Sequence, residues 1–182
     1  GLIKDYKKMI TMDFKEINNI ILVIGKTEGH IDQSLLSRII LNENNGPPPE
    51  VNLFNEKNNG ETVLKLSNEN LIVSCHDISV GGILTALSKM CIKGNKGAKI
   101  NSQLKLLNKF NYFFAEDQGR YIIEISPEDL ENVSKILDKN SVYHEEIGII
   151  TDKDMIINEK TKVTIDELKS YNTNWLTNYM SS

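Results

Sequence analysis

The sequence predicts a single α+β domain in which a mixed β-sheet is packed with helices. Its 182 residues fit one domain, since a domain usually contains roughly 100–200 residues. Hydrophobic residues make up 40% of the chain and charged residues 25%, a composition typical of globular proteins. Apolar runs typical of buried strands alternate with segments whose apolar residues recur at helical spacing. The roughly equal share of the two patterns favours helices packed on a mixed sheet.

Three segments in the first half of the chain have clear patterns. Residues 19–25 form a continuous apolar run that ends at Gly25, which is typical of a strand covered on both faces. Residues 51–68 and residues 83–92 each predict a helix, and Gly94 is the expected left-handed end of the second one. Weaker patterns predict strands at residues 9–14 and 71–75, a helix capped by Asp32, a stiff proline-rich loop at residues 42–49 and a tight loop at residues 76–82.

Two helix starts stand out in the second half. Ser126 caps free N–H groups, and Pro127 follows at a position where its missing N–H costs nothing. Thr164 and Glu167 form a capping box, which begins a short helix expected to end near Tyr171. The predicted strands of this half are residues 99–104, 111–115, 120–125, 141–150 and 155–158.

The end of the chain is more apolar than an exposed segment should be. We divide the chain into a domain of residues 1–171 and a tail of residues 172–182. The tail contains Trp175, Leu176, Tyr179 and Met180. We therefore expect the tail to dock on its own domain or on a neighbouring one.

Charge and composition disfavour several classes of protein. The longest apolar run has about five residues, against the roughly 20 of a membrane helix, and the first residues lack the pattern of a secretory signal. The net charge of −4 argues against nucleic acid or an anionic membrane as the main partner. Cys75 and Cys91 lie in apolar stretches, so we expect reduced, buried thiols in a cytoplasmic protein.

The most informative segment for function joins a predicted strand to a predicted helix. It carries His76, Asp77 and Ser79, followed by Gly81 and Gly82 at the helix start. Free N–H groups at such a start suit a phosphate or a carboxylate, and glycine lets a ligand approach the backbone. The structural alternative is that Asp77 or Ser79 only caps the helix, while the glycines allow close packing.

A second polar segment contains Glu116, Asp117 and Gln118, followed by Arg120. Glu116 and Gln118 are candidates for hydrogen bonds to a polar ligand, and Arg120 is a candidate for bidentate pairing with a carboxylate or a phosphate. The alternative is a hairpin turn at residues 117–119, with Arg120 in an internal ion pair.

The residues themselves assign neither a catalytic group nor a metal site. His30, His76 and His144 lack the i, i+4 pairing or Cys-x-x-Cys spacing of specific metal sites. Cys75 directly precedes His76, but neighbouring residues in a strand point to opposite faces, so they do not form a thiolate–imidazole pair.

The segment from His76 to Gly82 resembles the H-D-x-S-[DE]-G-G motif of the carboxy-terminal domain of the aminoimidazole-ribonucleotide (AIR) synthase superfamily. Within this superfamily, nearly the whole chain is similar to the synthetases that amidate formylglycinamide ribonucleotide in purine biosynthesis. The other similar segments are residues 10–15, 24–25, 27–29, 33–34, 46–49, 114–121, 174–176 and 179–180.

The resemblance implies that this chain is part of a larger enzyme. Such synthetases have four domains in two pseudo-equivalent halves, and the chain resembles only the last domain. The resemblance implies that the catalytic histidine, the magnesium-binding acids and the nucleotide-binding residues lie upstream. ATP and Mg²⁺ would then belong to the parent enzyme, and this chain would neither bind them nor act alone. The implied partners are the upstream ATP-handling domains and a glutamine amidotransferase subunit that delivers ammonia.

The resemblance also bears on the candidate site. In the first half of these synthetases, an E-S-Q tripeptide that matches Glu116, Asp117 and Gln118 contacts the ribonucleotide. Here an aspartate replaces the serine, and its carboxylate would repel a substrate phosphate; Val80 also replaces an acid of the motif. A structural role or an auxiliary nucleotide site is therefore implied. The substrate- or nucleotide-binding candidates are His76, Asp77, Ser79, Gly81, Gly82, Glu116, Asp117, Gln118 and Arg120.

Two other functions remain open. One is a stand-alone or regulatory module that binds a small anion at Gly81 and Gly82. The other is a different superfamily member, such as a thiamine-monophosphate kinase or a hydrogenase-maturation protein, which the prolines at residues 47–49 and the tail fit poorly.

Overall fold

A seven-stranded sheet lies between two layers of helices, so the predicted α+β class is confirmed. The computed structural model describes residues 5–101 and 108–181. The strands are β1 (Ile20–Ile24), β2 (Ser74–Ile78), β3 (Gly97–Ile100), β4 (Arg120–Ile125), β5 (His144–Thr151), β6 (Met155–Ile157) and β7 (Thr161–Val163). The helices are α1 (Leu53–Asn68), α2 (Gly82–Gly94), α3 (Lys109–Phe114), α4 (Leu130–Lys139) and α5 (Ile165–Ser181).

The sheet is mixed, with the strand order β2-β4-β1-β5-β3-β6-β7. The pairing is antiparallel between all neighbours except β3 and β6, which run parallel. Strand β1 lies inside the sheet, between β4 and β5, and each of its residues is buried. This confirms the strand covered on both faces that the apolar run at residues 19–25 predicts.

Each face of the sheet has its own apolar core. Val63 and Leu66 of α1 pack with Val133 and Leu137 of α4 over one face. The other face is covered by α2, α3 and the first turns of α5, with Met90, Tyr112, Phe113 and Ile165 among the buried residues. Among the residues that the structure describes, no helix has the length and apolarity needed to cross a bilayer.

Two predicted strands near β2 are corrected. Residues 9–14 form irregular chain, and the Thr11 carbonyl accepts a hydrogen bond from the Cys75 N–H at 3.2 Å. The strand predicted at residues 71–75 begins only at Ser74. The reason is that the Leu71 N–H still bonds to the Leu66 carbonyl at the end of α1. His76 and Asp77 consequently lie in a strand and not in a loop.

The strand predicted at residues 111–115 is helix α3 instead. The Asn108 side chain caps this helix by accepting from the Phe110 N–H, and the adjacent Tyr112 and Phe113 are both buried. Adjacent residues of a strand point to opposite faces, so only a short helix places both rings on the same core.

Other differences concern element ends. The helix expected after Asp32 is a five-residue π-helical turn, Leu36–Ile40. Helix α2 continues through Gly94, and Asn95, not Gly94, adopts the left-handed conformation. Gly94 instead permits close packing, since a Cβ at this position would lie 2.3 Å from the Phe14 carbonyl oxygen. Strand β7 was not predicted, and residues 102–104 of one expected strand lie outside the described residues.

The predicted boundary between domain and tail falls inside a helix. Helix α5 continues without a break from Ile165 to Ser181, whereas a helix ending near Tyr171 was expected. The side chains of residues 172–181 are exposed, so this part of the chain does not dock on its own domain. Docking on a neighbouring domain stays a prediction.

Both cysteines are free thiols, as expected, but only Cys91 is fully buried, whereas Cys75 is partly buried. Burial raises the pKa of the Cys75 thiol to about 12, and the nearby Asp77 carboxylate adds to this shift. Burial alone raises the pKa of the Cys91 thiol to about 12.

We expect Cys75 and Cys91 to resist iodoacetamide in the folded protein at pH 8. At a pKa of about 12, only ~0.01% of each thiol is the reactive thiolate. Intact mass spectrometry should show no adduct in buffer and two adducts per chain in denaturant. Rapid labelling of the folded chain at either position would contradict the burial of that thiol.

Candidate functional site

The predicted site residues lie in three neighbouring parts of the fold. His76 and Asp77 belong to edge strand β2, and Ser79, Gly81 and Gly82 lead from β2 into α2. The third group consists of Glu116, Asp117 and Gln118 in the turn between α3 and β4, and Arg120 at the start of β4. A hydrogen bond between Glu116 and Gly81 joins the second and third groups.

The start of α2 already holds an anionic group from the chain itself. The Glu116 Oε1 atom accepts a hydrogen bond from the Gly81 N–H at 2.9 Å and another from the Leu35 N–H at 2.7 Å. Carboxylates are stabilised at the start of a helix by its unpaired N–H groups and its dipole. The carboxylate of Glu116 therefore occupies a position that a ligand anion would need.

The two glycines serve close packing at this point. Both have left-handed backbone, with φ of +82° at Gly81 and +68° at Gly82, a region that side chains disfavour. A Cβ on Gly82 would also lie 2.6 Å from the Phe113 carbonyl oxygen. Gly81 itself is the N-cap residue of α2, so neither Asp77 nor Ser79 caps the helix. The structural alternative correctly predicted that the glycines allow close packing. Its prediction that Asp77 or Ser79 caps the helix is wrong.

Asp117 binds backbone and faces inward. Its carboxylate accepts from the N–H groups of Glu28 and Gly29 at 3.0 Å each, and from the N–H of His30 at 3.1 Å. Consecutive backbone N–H groups form a concave binding site for an anion. Here the anion is a side chain of the same protein, and the contact fixes residues 28–30 against the start of β4.

Arg120 is enclosed below this turn, with 1% of its surface exposed. Its guanidinium group donates to Thr27 Oγ1 at 3.0 Å, to the Ala115 carbonyl at 2.7 Å and to the Asp117 carbonyl at 3.1 Å. Burial lowers the pKa of Arg120, and the Asp117 carboxylate opposes that shift. The expected internal ion pair is present, with Nη1 3.9 Å from Asp117 Oδ2.

The same structural alternative predicted a hairpin turn at residues 117–119. This prediction is wrong, because α3 and not a strand precedes the turn. Of the predicted site residues, Asp77, Ser79 and Gln118 are exposed. These three keep side chains that solvent or a ligand can reach.

An open cleft of about 750 Å³ lies beside the turn. Its walls are Lys26, Glu28 and His30, residues 49–52, the first turns of α1, and Asp117 with Gln118. Glu28, Glu50 and Glu56 line it with Lys26, and Lys26 pairs with Glu28 at 2.8 Å. This excess of carboxylates disfavours a phosphate group in the cleft.

His76 has an unusual environment for a strand residue. Its Nδ1 atom lies 3.1 Å from Asp77 Oδ1, while its Nε2 atom is buried without a hydrogen-bond partner. In the described part of the chain, no other buried side-chain nitrogen or oxygen lacks a partner. His76 does not line the cleft beside Gln118.

Sequence reasoning missed Glu124, whose carboxylate is fully buried in β4. It accepts from the N–H groups of Lys15 and Glu16, from Asn19 Nδ2 and from Ser74 Oγ, at 2.7–3.0 Å. The available signal was a glutamate in the apolar run of residues 121–125. A charge placed there requires hydrogen bonds in the fold.

Across residues 5–101 and 108–181, no three His, Cys, Asp or Glu side chains are placed to hold a metal ion. The carboxylates of Glu116, Asp117 and Glu124 are directed at N–H and O–H donors of the chain itself.

A mixed sheet with helices on both faces, and a glycine pair opening α2, define an AIR-synthase-type carboxy-terminal domain. Residues 16–158 match the family described as "AIR synthase related protein, C-terminal domain", and the chain belongs to this family. It is 65% identical over all 182 residues to the phosphoribosylformylglycinamidine synthase subunit PurL of Pelagibacter ubique (strain HTCC1062). The chain spans 25% of the length of that relative.

Solved structures support the fold. Thermotoga maritima PurL complexed with FGAR superposes with a TM-score of 0.76 at 18% identity, covering 90% of this chain and 30% of that one. The same protein complexed with ATP gives a TM-score of 0.70 at 17% identity, covering 90% and 27%. At this identity, the likeness concerns the fold alone.

We expect Asp117→Ala to lower the free energy of unfolding by about 3–5 kcal/mol, because it leaves the buried Arg120 without its counter-charge and three backbone N–H groups without an acceptor. Urea unfolding monitored by circular dichroism measures the loss. Glu28→Gln is the control, since its exposed pair with Lys26 should contribute less than about 1 kcal/mol. Equal, small effects of both substitutions would show that the turn does not depend on Asp117.

We expect Glu116→Ala to cost roughly 1–3 kcal/mol, because the N–H groups of Leu35 and Gly81 lose their shared acceptor. Glu116→Gln should cost less, since an amide oxygen still accepts from both. The same unfolding measurement ranks the two variants. A larger loss for the glutamine variant would mean that these two bonds are not what makes Glu116 stabilising.

Proposed function

We propose that this chain is one domain of a longer phosphoribosylformylglycinamidine synthase, an ATP-dependent ligase of purine biosynthesis. The observation that carries the proposal is the 65% identity to a PurL subunit over the entire chain. A shared fold alone would not support a shared reaction, but the identity of 65% is that of an alignment over all 182 residues, loops and the exposed α5 helix included. It favours a synthase over a kinase or a maturation protein of the same superfamily.

The proposed reaction converts the formamide group of formylglycinamide ribonucleotide into an amidine. ATP activates the formamide oxygen, and ammonia then displaces it. The ammonia comes from glutamine through an amidotransferase subunit. We place the ATP and Mg²⁺ sites and all catalytic residues in upstream domains of the same polypeptide, in the cytoplasm.

We propose a supporting role for this domain within the synthase. The candidate groups at the 116–120 turn are engaged within the fold: Glu116 at the start of α2, Asp117 on residues 28–30, and Arg120 on Thr27 and two carbonyls. The charged groups of this turn are therefore already bound by donors and acceptors of the same domain. This favours a packed wall of the enzyme over a substrate site.

The stand-alone anion-binding module is the weaker proposal. It needs free N–H groups at Gly81 and Gly82, yet the Gly81 N–H donates to Glu116 and the Gly82 N–H donates to the Ser79 carbonyl. An anion would have to displace a carboxylate held by two hydrogen bonds.

We expect the 182-residue chain to form no amidine when it is supplied with formylglycinamide ribonucleotide, ATP, Mg²⁺ and ammonia. The full-length polypeptide should form it from ammonia alone, and from glutamine only with the amidotransferase subunit. Phosphate release and product mass measure the reaction. Turnover by the short chain would refute the supporting role, and an inactive full-length polypeptide would refute the proposed reaction.

A further inference from the structure

Apolar side chains recur along one side of helix α5, interrupted by Lys169 and Asn172, and the domain covers only the beginning of that side. Ile165 is buried, and Leu168 packs on the core beneath the sheet. At 3.6 residues per turn, Tyr171, Trp175 and Tyr179 continue on the same side of the helix as these two residues. The interface that holds α5 on the domain is therefore continuous with the exposed part of the helix.

We call the exposed part of this side the α5 ridge. It consists of Tyr171, Trp175, Leu176, Tyr179 and Met180. Between 51% and 80% of the surface of each residue is exposed. The opposite side of the helix is polar throughout, with Glu167, Ser170, Asn174, Thr177, Asn178 and Ser181. A helix with a polar and an apolar side is stabilised mainly by burying the apolar side, and here three turns of that side lie uncovered.

The size of the ridge indicates what covers it. Stable interfaces between separate proteins use about 20–30 residues on each side, whereas the ridge offers five side chains. Such a small surface is sufficient when the partner is covalently attached, since a linked segment has an effective concentration in the range of ~1 mM. The curated relative is about four times as long as the chain that matches it. In a protein of that length, the remaining polypeptide can supply the attached partner.

We propose that the α5 ridge docks into an apolar groove on an upstream domain of the same polypeptide. This rests on the proposed function, because it requires the chain to be one domain of a longer synthase. Trp175 and Leu176 are the central contacts, since they lie midway along the ridge. The ridge then fixes the orientation of this domain relative to the ATP-handling domains.

The test compares two matched double variants in two lengths of polypeptide. Trp175→Ala with Leu176→Ala removes the centre of the ridge, and Asn174→Ala with Thr177→Ala changes the polar side of the same turns. Hydrogen–deuterium exchange of α5 is measured in the 182-residue chain and in the full-length polypeptide. In the short chain, both variants should exchange like the parent, because the altered side chains are exposed there.

In the full-length polypeptide, we expect the ridge variant to exchange α5 hydrogens about tenfold faster than the parent or more, with the control unchanged. Equal exchange of the ridge variant and the control would overturn the proposal. So would a dimer of the short chain, seen by sedimentation and lost in the ridge variant, since the occupant would then be a second copy.

Amidation by the unaltered full-length polypeptide is assayed in parallel. Protection of α5 in an inactive polypeptide would support docking and refute the reaction. Activity without any difference between the variants would refute docking and leave the reaction in place.

Discussion

The buried guanidinium group of Arg120 is the constraint around which the candidate site is arranged. A charge with 1% of its surface exposed is tolerated only when its donors and its charge are matched within the fold. Thr27, Ala115 and Asp117 supply the acceptors, and Asp117 also supplies the opposite charge. Residues 27–30 are thereby held against the turn that connects the end of α3 to the start of β4, a part of the chain that is distant from them in sequence.

The same arrangement explains why residues that resemble ligand contacts face inward. Asp117 occupies a set of three backbone N–H groups, and Glu116 occupies the start of α2. Each carboxylate takes a position suited to a bound anion. Substituting aspartate into the tripeptide is compatible with this fold because its charge is neutralised by donors within the domain. This arrangement is the basis for the supporting role that we propose for the domain.

The sequence predicted elements well where the signal is local. The apolar run of β1 and the capping box at Thr164 and Glu167 are present, and both hydrogen bonds of that box form. Ser126 and Pro127 also begin a helical segment, which is a 3-10 turn at Pro127–Asp129 that leads into α4. The predictions were wrong where distant contacts decide. The apolar stretch at residues 111–115 is equally compatible with a strand, and becomes α3 because Tyr112 and Phe113 enter one core. Nothing in the local pattern at Glu124 showed that its four donors would converge.

By itself, the sequence determined the fold class, the central strand, the main helices and the resemblance to one superfamily, because periodicity, capping residues and motif order are properties of neighbouring residues. Only the tertiary structure decided that Glu116, Asp117 and Arg120 form hydrogen bonds within the domain. It also decided that carboxylates outnumber cations in the cleft beside Gln118, and that the end of the chain is an exposed helix. These features depend on which distant segments come into contact, and hydrogen bonds between such segments produce no periodic pattern in the sequence.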